Sequence, residues 1–213
     1  MSCCDPRGCD EFFGGRFARR VAKRYRKRGL DKTAARMVAF LEQRGLENAS
    51  VLEIGGGVGE IHLELLKRGA ARAVNLELSR AYDREALSLM REAGIDAARA
   101  DRRVHDIAAD PDAVEPADIV VLHRVVCCYP DYERLLGAAA GRAGRLLVFS
   151  HPPRNAASRA AVALQNAAFR LMRKQFRTFA HPPQAMLDVC RARGLTPAYG
   201  HAGVVWHVDG LTR

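Results

Sequence analysis

The sequence is short of several things, and each shortage closes off a class of protein. No uncharged apolar run reaches the roughly 18 residues that a membrane-spanning helix needs, so no transmembrane segment is expected. Residues 1–11 have no apolar core, so no secretory leader is expected. The six cysteines include no Cys-x-x-Cys pair, which leaves a structural zinc site without its usual spacing and predicts no bound metal. Six cysteines in 213 residues also make no disulfide scaffold, so a reduced, cytoplasmic protein is the expectation. Repeats and low-complexity linkers are absent, and aromatic residues are only 7% of the chain. Acidic residues are missing from two stretches: residues 16–28 carry eight basic side chains and residues 134–187 carry nine. The formal charge is +10, so the rest of the chain is net acidic. Such a basic half suits an acidic ligand. Solvated helix faces are the plainer reading of either stretch.

What is present is a chain with 48% hydrophobic residues, long enough for one domain over 1–213 with a sizeable core. Its organising stretch is Val51-Leu52-Glu53-Ile54-Gly55-Gly56-Gly57-Val58-Gly59-Glu60. A short apolar run, an acid, a glycine cluster and an amphipathic run read as a buried strand, a tight turn and a helix start. Glycines let the backbone turn and let a ligand approach, and the helix start offers unpaired N–H groups. A dinucleotide loop would have Gly-x-Gly-x-x-Gly. Here the spacing is Gly55-x-Gly57-x-Gly59 with Glu53 in front, and Glu53 would repel a pyrophosphate. A second acid, Glu77, ends the next apolar run, where it can accept from both hydroxyls of a ribose.

The acid-x-Gly-x-Gly-x-Gly spacing resembles motif I of the class I S-adenosylmethionine-dependent methyltransferases. The resemblance implies S-adenosylmethionine as cofactor. It places Glu53, Ile54, Gly55, Gly56, Gly57 and Gly59 at the methionine part, Glu77 with Leu78 at the ribose, and Asp106 with Ile107 at the adenine. His123 and Arg124 would line the sulfonium side. Tyr25-x-x-x-Gly29-Leu30-Asp31-Lys32-Thr33, Leu52 to Gly57, and Arg124 to Asp131 look more narrowly like small bacterial methyltransferases grouped with the magnesium-protoporphyrin O-methyltransferases. That grouping implies a small-molecule acceptor, with a carboxylate-bearing one in view.

Periodicity places strands at about 50–54, 73–77, 97–104, 117–122 and 145–149, and a hairpin at about 195–201 and 203–209. Helices are expected at 16–28, 31–44 (capped by Asp31), 58–68, 80–93, 131–142, 155–175 and 183–193. Residues 1–15 read as an irregular lead-in that folds over the ligand. The expected fold class is α/β: a Rossmann-like, doubly wound, mostly parallel seven-stranded sheet with an antiparallel C-terminal hairpin and an N-terminal helical cap over 1–47. The core is 48–213, with a helical substrate cover at about 154–181.

Ligands in such sheets sit outside the C-terminal strand ends, which brings the segments after the fourth and fifth strands to the methyl group. A carboxylate acceptor needs no base, whereas a phenol, amine or thiol draws on histidine. His123 is the first candidate catalytic residue, Tyr129 the second as an orienting hydroxyl, and His151 lies on the next loop. Cys127 and Cys128, with Cys3, Cys4 and Cys9, offer soft ligands if the N-terminus folds over the site. Buried cysteines are the plainer reading. Two rival functions remain: an RNA methyltransferase, drawing on the net charge, and a non-catalytic cofactor- or metal-binding protein. No nucleic-acid module is visible, so no stable nucleic-acid partner is expected. The basic helix at 16–28 leaves open contact with a membrane surface, and nothing speaks to oligomeric state.

Overall fold

In the computed structural model, residues 8–213 are described. Their order is α1 (Cys9–Phe12), α2 (Gly15–Arg28), α3 (Lys32–Gln43), β1 (Ser50–Ile54), α4 (Glu60–Lys67), β2 (Arg72–Glu77), α5 (Asp83–Glu92) and β3 (Ala100–Val104). Then come β4 (Ala117–Leu122), α6 (Tyr132–Arg142), β5 (Ala143–His151), α7 (Ala156–Leu171), α8 (Pro183–Arg191), β6 (Thr196–Ala202) and β7 (His207–Thr212). The strands form one seven-stranded sheet in the order β3-β2-β1-β4-β5-β7-β6. β1 to β5 pair in parallel, and β7 joins antiparallel to β5 and β6. This is the expected Rossmann-like architecture, with strand order reversing between β1 and β4.

The central strands are apolar because helices cover both of their faces. On one face Leu52, Val120, Leu147 and Phe149 pack with Leu136 and Ala140 of α6 and Met186 and Cys190 of α8. On the other, Val51, Ile119, Val121 and Val148 pack with Met37 and Leu41 of α3 and Ile61 and Leu65 of α4. The expected N-terminal cap therefore divides. Its second helix, α3, belongs to a sheet layer, whereas α2 packs Ala18 and Ala22 against Leu63, Tyr82 and Leu89. Asp31 caps α3 as expected, accepting from the N–H groups of Thr33 and Ala34 at 2.9 Å.

Three differences from the sequence reading follow from long-range pairing or backbone conformation. Residues 9–12 of the lead-in are helical, and Cys9 is buried; Cys3 and Cys4 lie outside the described residues. β5 runs on through Ser150 and His151 because β7 pairs with them, His151 opposite His207. α7 stops at Leu171, two residues before Arg173, whose φ of 56° leaves the helical region. Along the 16 residues of α7 only Phe169 is buried, and Leu164 and Leu171 stand 74% and 87% exposed. Among the described residues no helix is long and apolar enough to cross a membrane.

Candidate functional site

The ends of β1, β2 and β4 open into a cavity of about 220 Å³ at the point where strand order reverses, and α1 and α2 lie over it. Its floor is main chain. Gly55 and Gly57 adopt φ of 64° and 56°, a region that side chains disfavour. A Cβ on Gly55 would meet Val125 Cγ2 at 2.5 Å, so only glycine fits the turn. Glu77 at the end of β2 holds this loop. Its carboxylate accepts from the N–H groups of Gly57 (2.9 Å), Leu78 (2.8 Å) and Ser79 (3.1 Å). Burial pushes the Glu77 carboxyl up, and these N–H groups with Arg102 oppose it.

Glu53 is 1% exposed, and His62 of α4 is its partner, with Nδ1 at 2.6 Å and backbone N–H at 3.3 Å from the same oxygen. His62 was not singled out from the sequence; the signal was a buried acid that needed a donor one helical turn past the loop. Two further residues were missed. Arg102 donates to the Gly57 carbonyl (2.7 Å) and to Asp83 (2.7 Å), bracing the loop from β3. Glu60, the first residue of α4, faces the cavity 3.7 Å from Arg24. Burial, and then the neighbouring Glu53, push its carboxyl up to about 7.

The opposite wall is made of side chains. Asp31 Oδ2 lies 2.8 Å from Arg124 Nη2, 3.5 Å from His123 Nε2 and 3.7 Å from Arg24 Nη2. Burial raises the Asp31 carboxyl, but His123, the α3 N–H groups and Arg124 outweigh it and hold the group below the ordinary carboxyl range. Burial pushes the His123 imidazole down, with Asp31 opposing. Ser150 Oγ sits 3.1 Å from His123 Nδ1 and accepts the Arg124 N–H at 2.9 Å, fixing a turn in which Arg124 has φ 61°. His123 Nε2, Arg24 Nε and Arg124 Nε are buried with no hydrogen-bond partner among the described residues, and so is Asp31 Oδ2, the acid they surround. Three orphaned nitrogens gathered here suit an acidic group.

Residues 22–198 match a family described as a methyltransferase domain. The chain belongs to that methyltransferase family. No curated protein matches its sequence. Its fold is similar to that of magnesium protoporphyrin IX methyltransferase from Synechocystis PCC 6803. With S-adenosylhomocysteine bound in that protein, the TM-score is 0.70 at 18% identity, over 85% of this chain and 82% of that one. The same enzyme with S-adenosylmethionine gives 0.67 at 17%, over 97% and 89%. An O-methyltransferase family protein from Burkholderia thailandensis gives 0.68 at 18%, over 93% of this chain and 60% of that one.

In this methyltransferase the expected residues Glu53, Ile54, Gly55, Gly56, Gly57, Glu77, Leu78, Asp106, Ile107, His123 and Arg124 all line the one cavity. Gly59 does not; it caps α4 at φ 84°. The other two catalytic candidates, Tyr129 and His151, lie in different surroundings. Tyr129 lines the same cavity, and its hydroxyl donates to Asp106, 3.1 Å from both carboxylate oxygens. His151 is 2% exposed and outside the cavity, with Nε2 2.8 Å from Asp209 Oδ2 and Nδ1 2.9 Å from the Pro152 carbonyl. The α2 helix buries its apolar side on the core, so an interfacial helix would have only its basic face to offer. Among the described residues no group of three or more His, Cys, Asp or Glu is arranged for a metal.

Proposed function

We propose that this methyltransferase binds S-adenosylmethionine in the cavity and passes its methyl group to a small-molecule acceptor bearing a carboxylate. The glycine turn approaches the methionine part, and Glu53 and Glu60 face its ammonium group. Glu77 takes the ribose, and Asp106 with Ile107 borders the adenine. The bound cofactor supplies an electrophilic methyl on a sulfonium. The protein's part is to hold a nucleophile in line with it, a proximity effect worth up to about 7–11 kcal/mol.

The observation that carries the acceptor class is the set of orphaned nitrogens on Arg24, His123 and Arg124. A carboxylate can accept from them, and as a nucleophile it needs no proton removed. That agrees with the partners of the other two candidates: the Tyr129 hydroxyl donates to Asp106, and His151 pairs with Asp209. His123 remains as a buried ring whose lowered pKa keeps it neutral near pH 7.

Calorimetric titration with S-adenosylmethionine, S-adenosylhomocysteine and NAD tests the cofactor. Micromolar binding of the first two and none of NAD is expected. Gly57→Val, which puts a branched side chain at φ 56° beside Tyr82, should weaken binding at least about a hundredfold, near 2.8 kcal/mol. Unchanged affinity in a folded Gly57→Val chain rejects the assignment. Turnover of a phenol but of no carboxylate would reject the acceptor class alone.

A further inference from the structure

Cys127 and Cys128 take no part in the function proposed above, yet Cys128 lines its cavity and the Cys127 sulfur lies beside it. They form a single helical turn after β4. Their sulfurs are 3.6 Å apart, and each is close to the carbonyl of Arg124, at 3.5 and 3.6 Å. Cys128 lines the cavity together with Phe13, Leu78 and Tyr82. The thiol of Cys127 is pushed down, first by its hydrogen bond with Cys128 and then with help from Arg124; Cys128 is pushed up by the same bond and by burial. Either sulfur can donate in that shared bond, so one can attack as thiolate while the other still carries its proton.

The geometry points to Cys127 and Cys128 as a dithiol site for a trivalent arsenical. Direct oxidation of the pair is disfavoured by the chain itself. Adjacent Cα atoms across a trans peptide are about 3.8 Å apart, short of the roughly 4.4–6.8 Å that disulfides span. A single bridging atom suits the spacing better. Two As–S bonds meeting at a pyramidal trivalent arsenic hold their sulfurs at about the 3.6 Å separation seen here. Soft thiolates select soft centres. With no three-ligand cluster among the described residues, the centre must bring its own third substituent. An aryl group directed at Phe13, Leu78 and Tyr82 meets an apolar wall.

With phenylarsine oxide the reaction balances without an oxidant. One sulfur of the pair attacks arsenic, the other forms the second As–S bond, and the arsenic–oxygen bond breaks. The two thiol protons leave with that oxygen as water, and arsenic stays trivalent. The adduct occupies the wall beside Glu77, so it should compete with whatever fills the cavity.

The test uses the full chain carrying Cys3→Ala and Cys4→Ala, which removes a second adjacent pair. Intact mass after phenylarsine oxide should show one phenylarsenic group, with two thiols lost and both recovered by 2,3-dimercaptopropanol. Cys127→Ala or Cys128→Ala should abolish the adduct, and Cys190→Ala should keep it. No adduct on the reduced chain, or an adduct that survives Cys128→Ala, overturns the site. S-adenosylmethionine affinity should fall at least about tenfold in the adduct; unchanged affinity overturns its placement in the cavity wall. A chain that never bound S-adenosylmethionine would count against the proposed cofactor, and the mass measurement would still decide the dithiol.

Discussion

The two walls of the cavity are built differently. The floor is a backbone turn between β1 and α4, held by an acid at the end of the adjacent strand, with Gly57 N–H on Glu77. The facing wall is a knot of side chains from three separate segments: Arg24 on α2, Asp31 capping α3, and His123 with Arg124 after β4. A backbone turn needs particular residue types at fixed spacing, so it leaves a mark in the sequence. A side-chain knot needs only that distant segments pack together, and it leaves almost none.

Breaking the knot tests that contrast most strongly. Asp31→Ala removes a helix cap and the acid facing Arg124 and His123 at once, and should cost about 3 kcal/mol in urea unfolding. Asp31→Asn keeps the cap and should recover about 1 kcal/mol of that. The Asp31 carboxyl is held below its ordinary pKa, so the wild-type advantage over Asn is full above pH about 4 and fades as pH falls below it. Equal stability of the wild-type and Asn chains above pH about 4 would mean the ion pairs contribute nothing, and equal stability of the Ala and Asn variants would mean the cap contributes nothing.

Glu60 gives the opposite sign on the floor. Its folded pKa, about 7, lies above the ordinary value, so its ionisation penalty is absent below pH about 4.5, grows as pH rises toward 7, and is constant above. Glu60→Gln should therefore raise stability at pH 8 by up to about 3 kcal/mol and do nothing at pH 4. In the same variant S-adenosylmethionine should bind more weakly, because an acid facing the ammonium is gone. A variant less stable than wild type at pH 8 would show that the Arg24 pairing outweighs burial.

Tyr129→Phe is the smallest change, and it separates a hydroxyl that only positions Asp106 from one that acts on the acceptor. Losing the hydroxyl that bonds Asp106 should cost about 1 kcal/mol and weaken cofactor binding a few-fold, with kcat preserved. A fall in kcat of about a hundredfold or more would restore Tyr129 as a catalytic group.

The legible part of the site follows the same divide. Glu53, the glycines and Glu77 were readable because strand, turn and helix follow one another along the chain. Asp106, His123 and Arg124 were readable from their places after β3 and β4, although the partner Asp31 was seen only as a cap. His151 was misplaced because β7, more than fifty residues later, extends β5 and buries it. Tyr129 was readable as a cavity residue, but its bond to Asp106 was not, because spacing along a loop does not say which neighbour a hydroxyl faces. Residues 164, 171 and 172 carried an apolar pattern that packing left exposed.

By itself the sequence determined the alternation of strands and helices, the sharp turn at Gly55–Gly59 and the acids that flank it, since these rest on local periodicity and on backbone conformations open to glycine alone. The tertiary structure decided the rest. It set which helix covers the cavity, brought Arg24, Asp31, His123 and Arg124 to one point, and left Cys128 on the wall with Cys127 beside it. Those choices rest on contacts between distant segments, whose energies depend on burial and mutual orientation and exist only once the sheet has formed.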